Sequence, residues 1–163
     1  HTAYRRQRQM CIRDRVYLGI NELRRFVLVA CLTSFETVRT AEIYYLSLIR
    51  AKFCELLAER TPSHHLSNEA FMGGLFSLLD VILETPLEEL MGQIAVSPYV
   101  MKALQSQDGS LYSFVTLAQL YEQRLWSEAS DVAGELGQSE HTVMELMNKA
   151  TKWADELPVG FGK

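Results

Sequence analysis

Residues 70–83, AFMGGLFSLLDVIL, give a helix no polar face. Only Gly73, Gly74, Ser77 and Asp80 interrupt the large apolar side chains. A helix that is apolar all round has to be surrounded by other elements, so this stretch is expected to be the core of whatever the chain folds into. Gly73, Gly74 and Ser77 fall at i, i+1 and i+4, a patch of small residues against which a second helix can come close. Each glycine costs a helix about 0.8–1 kcal/mol relative to alanine, and close packing offsets that cost. Asp80 is the single charge, and with Glu84 four residues on it reads as a wet stripe at the helix end.

The surroundings of this run are helical too. Alternating β-branched runs bounded by turns are absent, and helical periodicity rich in Ala, Leu, Glu and Met takes their place. Helices are expected over residues 20–34 and 38–60, the second stopping before Thr61-Pro62. TPSHHLS, residues 61–67, reads as a loop, with Ser67 or Asn68 able to cap a helix over 69–84. Pro86 opens a short helix, PLEELMGQ, with Glu88 and Glu89 in the first turn, where the helix dipole favours them. Ser97-Pro98 opens another, to about residue 106, and Asp108-Gly109 breaks the chain. Helices then cover 110–123, 127–136 and 140–156, with Gly137 as a C-cap and Ser139 as an N-cap. The expectation is an all-α fold: a single domain of about eight helices with short loops.

Length and composition agree with that expectation. The 163 residues suit one domain with a real core, and 48% apolar with 22% charged residues is ordinary globular usage. The longest apolar stretch outside the central run is FVLVACL, residues 26–32, short of the roughly 20 residues that span a bilayer. Cys11, Cys31 and Cys54 lie far apart with no CxxC, and Cys31 and Cys54 sit among apolar residues. They read as reduced thiols, which points to the cytoplasm.

Charge is unevenly spread. Residues 1–15, HTAYRRQRQMCIRDR, hold five Arg and one Asp, a net +4. The remainder holds 11 basic and 19 acidic residues, a net -8. A body at -8 repels phosphate backbones, which argues against a nucleic-acid partner. The first 15 residues lack a helical apolar period, and QRQMCIRDR resembles a translated sequencing adapter. They are expected to be foreign to the domain; the competing reading is a basic arm for an anionic surface. Residues 159–163 read as a frayed tail.

VYLGINELRRFVLVACL (16–32), RAKFCELLAER (50–60), AFMGGLFSLLDVILETPLEEL (70–90) and WADEL (153–157) together resemble the HDOD domain, a helical signalling output domain related to the HD metal-dependent phosphohydrolases. GLFSLLD followed by PLEEL is the most specific piece, and the likeness covers about residues 16–158. The resemblance is closest to the HDOD half of bacterial proteins that also carry an EAL (cyclic-di-GMP phosphodiesterase) domain. It implies an HD-like helical domain, further helices before residue 16, and a longer parent chain. HD enzymes ligate two metals through a His, a His-Asp pair and a later Asp, which activate water against a phosphate. In this chain the first His position falls at Leu46, the His-Asp pair at Ser77 and Leu78, and the last Asp at Gln119. Leucine cannot ligate a metal, and Ser and Gln are poor replacements. The resemblance therefore implies a degenerate HD site with no catalytic residue, no bound metal and no cofactor. The domain would act on a protein partner or a covalently linked EAL domain, or through homo-oligomer formation, with no role for a membrane or nucleic acid.

Other features compete with this reading. His64-His65 lie adjacent in a loop with no third ligand at fixed spacing, and read as surface histidines. A divergent phosphohydrolase would have to recruit Asp80, Glu84 or His64 to within about 4 Å of a two-metal centre. VAGELGQSEHTVMEL, residues 132–146, has the spacing of a DNA-binding helix-turn-helix. Its second helix offers Glu140, His141 and Glu145 and no Lys or Arg before Lys149, so it lacks donors for guanine and charge for phosphates. It reads as a helix hairpin with Val143 and Met147 turned inward. Tyr44, Tyr45, Trp126 and Trp153 read as packing anchors.

Overall fold

A computed structural model describes residues 38–89 and 96–157. The chain divides into two compact units, residues 1–41 and 42–163. Of the first, only the opening turn of a helix, residues 38–41, is described. The expected helix over 20–34, the basic segment 1–15 and the tail 159–163 lie outside the described residues.

The described residues hold helical segments and no strand, which bears out the all-α expectation. In chain order they are α1 (Val38–Glu59), a 3-10 turn (His64–Leu66), α2 (Ser67–Phe76), α3 (Leu79–Leu83), α4 (Pro98–Gln105), α5 (Ser110–Glu122), α6 (Trp126–Glu135) and α7 (Glu140–Asp155). Residues 87–89 are also helical, and the rest of PLEELMGQ lies outside the described residues.

Most boundaries follow from local chemistry. Ser97 and Ser139 hold extended backbone and accept hydrogen bonds from the N–H groups of Val100 and Thr142, so α4 and α7 are capped as their sequences suggest. Gly137 ends α6 in the left-handed region at φ 68°, where a side chain would be strained. Thr61 folds its hydroxyl back onto the Ala58 carbonyl at 3.0 Å, closing α1 before Pro62. The start of α2 differs from expectation. Leu66 occupies the N-cap position, Ser67 is already helical, and no side chain caps the helix. The preceding 3-10 turn leads straight into α2 and takes the place of a capping side chain.

The central run is buried but is not one helix. Ala70, Phe71, Gly73, Gly74, Leu75 and Phe76 are buried in α2. The chain then turns at Ser77 and Leu78 before α3. Ser77 donates its hydroxyl to the Gly74 carbonyl at 2.6 Å, a bond that competes with continued helix. Around α2 lie the 3-10 turn, α4 and α5; α5 packs on α6, and α6 on α7. The core they enclose includes Phe53, Leu57, Phe76, Phe114, Leu117, Val143 and Leu146. Each such side chain contributes about 1.5–3 kcal/mol through burial.

Candidate functional site

Arg50 lies on α1 in the middle of an apolar sequence and is only 4% exposed. A guanidinium so buried needs partners for its charge and its N–H groups. It finds them on two other elements. Its Nε donates to Glu122 Oε1 at 2.9 Å, and its Nη2 to Glu122 Oε2, a two-pronged bond to the last residue of α5. Its Nη1 donates to Ser77 Oγ at 2.7 Å, at the turn that ends α2. One turn before Arg50, Ser47 is fully buried and donates to the Tyr44 carbonyl at 2.7 Å. One turn after it lies Cys54, whose thiol is pushed up to about 12, chiefly by burial; the Arg50 charge pulls the other way and Glu122 adds to the rise.

Gly74 makes this arrangement possible. A Cβ there would lie 2.7 Å from both the Ala51 Cα and the Arg50 carbonyl oxygen. The helices α1 and α2 thus touch backbone to backbone, which brings Ser77 within reach of Arg50. The small patch expected from Gly73, Gly74 and Ser77 is this contact, carried by Gly74. Gly73 instead faces Leu111 and Val115 at ordinary distance.

Of the four positions that the resemblance to HD enzymes singles out, Leu46 is one turn before Arg50 on α1. Ser77 is bonded to Arg50. Leu78 comes next in the turn, at the N-cap of α3. Gln119 is one turn before Glu122 on α5. Arg50 therefore ties together the three helical segments that carry Leu46, Ser77 and Gln119. The donor set does not fit a pair of divalent cations. Ser77 already accepts a hydrogen bond from a guanidinium. The nearby carboxylate, Glu122, has both oxygens bound to that same cation.

Asp80, Glu84 and His64 do not form a substitute centre. Among the described residues, no three His, Cys, Asp or Glu side chains are grouped so as to hold a metal ion. Glu84 is exposed in the left-handed turn after α3, at φ 50°. His64 and His65 are exposed on the 3-10 turn, their rings edge to face at 5.9 Å.

Residues 132–146 form a helix hairpin. Val143 is fully buried and Met147 half-buried. On α7, Glu140 and His141 are exposed, and Lys149 is bound to Glu145 at 2.7 Å. The first base on this helix is thus engaged within the helix itself. Of the four aromatic anchors, Trp153 packs edge to face on Phe71 at 6.0 Å beneath Lys52, and Tyr45 donates to Asp155. Tyr44 is 1% exposed. Trp126 departs from expectation: it is 58% exposed.

The Arg50–Glu122 pair is not among the features expected from sequence. The signal was present in RAKFCELLA, where an arginine interrupts a segment that must be buried and so requires a counter-charge. The identity of that counter-charge, 72 residues away, was not in the local sequence.

No protein-family profile and no solved structure matches the chain. Two curated proteins do. Over 142 residues, 87% of this chain, it is 33% identical to "Cyclic di-GMP phosphodiesterase CdgJ" of Vibrio cholerae serotype O1. Over 143 residues, 86% of this chain, it is 29% identical to "Uncharacterized protein YuxH" of Bacillus subtilis strain 168. The matched region is 33% of the first relative and 34% of the second, so the chain spans about a third of the length of the curated relatives it matches. No helix among the described residues is long and apolar enough to cross a membrane.

Proposed function

We propose that this chain is a non-catalytic output and interaction module of the HDOD kind, working within a cyclic-di-GMP signalling protein that also carries an EAL domain. The observation that carries the reading is Arg50. It sets a fixed positive charge against Ser77, the position aligned with the His-Asp pair of HD enzymes, and it occupies both oxygens of Glu122. A divalent cation brought to Ser77 would face that charge at close range, in a region where water screens little. The likeness of most of the chain to a third of a cyclic-di-GMP phosphodiesterase supports the signalling context. In this reading the module contributes partner binding or assembly, and any hydrolysis belongs to the part of the parent protein outside it.

The test is metal content after gentle purification, together with a hydrolysis screen over cyclic di-GMP and simple phosphoesters. Substoichiometric metal and no turnover are expected. Stoichiometric metal with turnover would overturn the reading and return Asp80, Glu84 and His64 to consideration as ligands.

A further inference from the structure

The apolar run breaks at Ser77 and Leu78 with no residue there whose backbone demands it. Between Leu75 and Thr85 the sequence holds neither glycine nor proline. Ser77 keeps helical backbone, at φ -62° and ψ -9°, and its N–H still reaches the Gly73 carbonyl at 3.1 Å. Leu78 leaves the helix, at φ -127° and ψ 6°. A chain of polar groups stands at the break. Arg50 Nη1 donates to the Ser77 hydroxyl at 2.7 Å, and that hydroxyl donates to the Gly74 carbonyl at 2.6 Å. In an unbroken helix the Gly74 carbonyl takes the N–H of Leu78. A hydroxyl that already accepts from a guanidinium is a stronger donor, so it competes better for that carbonyl.

The break decides which face α3 buries. Helical period places Leu78 and Val81 four and seven residues on from Gly74, on the stripe that meets α1 at the crossing. After the break Leu79 and Ile82 are buried instead, and Val81 is 50% exposed. The run is apolar on every side, so a straight course and a broken one each bury apolar side chains. Burial alone therefore does not choose between them, and a buried polar contact does.

We infer that Ser77–Leu78 is a hinge that Arg50 holds bent. With the Arg50–Ser77 bond made, the chain turns and Val81 is displayed. With it lost, the Gly74 carbonyl returns to Leu78, α2 runs on into α3, and Val81 turns onto the Gly74 stripe. Gly74, set backbone to backbone against Ala51, is the fixed point of the motion. The same guanidinium grips Glu122 at the end of α5. A displacement of α5 that draws Arg50 off Ser77 is thus read out as a change of surface at α3. The hinge does not depend on whether the module is catalytic.

NMR on the full chain and two variants tests the hinge. Ser77→Ala removes the hydroxyl and leaves Arg50 paired with Glu122. The double variant Arg50→Met, Glu122→Leu keeps the hydroxyl, removes the guanidinium and strands no charge. In each, the Leu78 Cα shift is expected to move to its helical value, and the Leu78 amide to exchange about ten-fold more slowly, as one added hydrogen bond allows. The Val81 methyl signals should lose most of their broadening by a soluble nitroxide. A Leu78 shift that stays at the parent value in Ser77→Ala would overturn the inference, since the hydroxyl would not be holding the bend. Parent values in the double variant would overturn it too, by removing Arg50 from the device. So would coil-like shifts over residues 78–83 in either variant, which would leave no second packing to switch to.

Discussion

Arg50 is a cation held out of water, and its stability depends on what meets its guanidinium. Glu122 accepts two of its N–H groups and Ser77 a third. Burying both charges costs desolvation that their attraction offsets only while the geometry is kept. Removing one partner is a different matter, because the other then stays behind without compensation. Such a loss typically destabilises by about 3–5 kcal/mol. The Glu122 side chain retains 20% exposure, which places this case at the low end. Arg50→Met is therefore expected to lose roughly 3 kcal/mol in urea unfolding. Adding Glu122→Leu to it should recover most of that loss, since an apolar pair leaves no stranded charge. Arg50→Lys should recover little, because an ammonium cannot serve both Glu122 oxygens and Ser77 in one plane. If the double variant is no more stable than Arg50→Met, the two side chains are not coupled in this way.

Between elements, the decisive contact is the crossing of α1 and α2 at Gly74. A methyl group there meets the Ala51 backbone and the Arg50 carbonyl, neither of which can rotate aside. Gly74→Ala is expected to force the helices apart and cost about 1–3 kcal/mol, despite alanine's better helix propensity. Gly73→Ala makes the opposite case: its Cβ would sit 4.0 Å from flexible tips of Leu111 and Val115. It should hold its stability or gain up to about 1 kcal/mol. Thermal midpoints of the two variants separate these outcomes, and equal midpoints would refute the close-contact account. The two glycines also show what the sequence could and could not say. Their spacing announced a close approach, and caps such as Ser97, Ser139 and Gly137 announced helix ends, because those signals are local. The apolar run 70–83 announced burial but not continuity: a buried turn at Ser77 and Leu78 looks the same in composition as a buried helix. The partner of Arg50 was hidden for a related reason. Its distance in sequence from Glu122 is bridged only by the packing of α1, α2 and α5.

At the scale of the whole molecule, the fold resists the loss of protons at high pH, most strongly at two side chains. Burial raises the Cys54 thiol from its ordinary 9.0 to about 12. The Tyr45 phenol, which donates to the Asp155 carboxylate and so links α1 to α7, rises from 10.0 to about 12. In both cases the unfolded chain gives up its proton first, so the folded chain binds more protons in the interval. The stability these groups contribute is thus complete below pH 9 and is lost as pH climbs toward 12. Tyr45 is partly open to solvent, where screening weakens its share. Cys54, at 0% exposure, should dominate. One such proton gives a slope of up to about 1.4 kcal/mol per pH unit. The expected result is a thermal midpoint that falls above pH 9 more steeply in the parent than in Cys54→Ala, which has no thiol at this site to ionise. Tyr45→Phe should flatten the curve less, and only nearer pH 10. Parallel curves for the parent and Cys54→Ala would mean that alkaline unfolding begins elsewhere. Divergent curves would place its origin at the centre of the helical body, one turn along α1 from the Arg50 cluster.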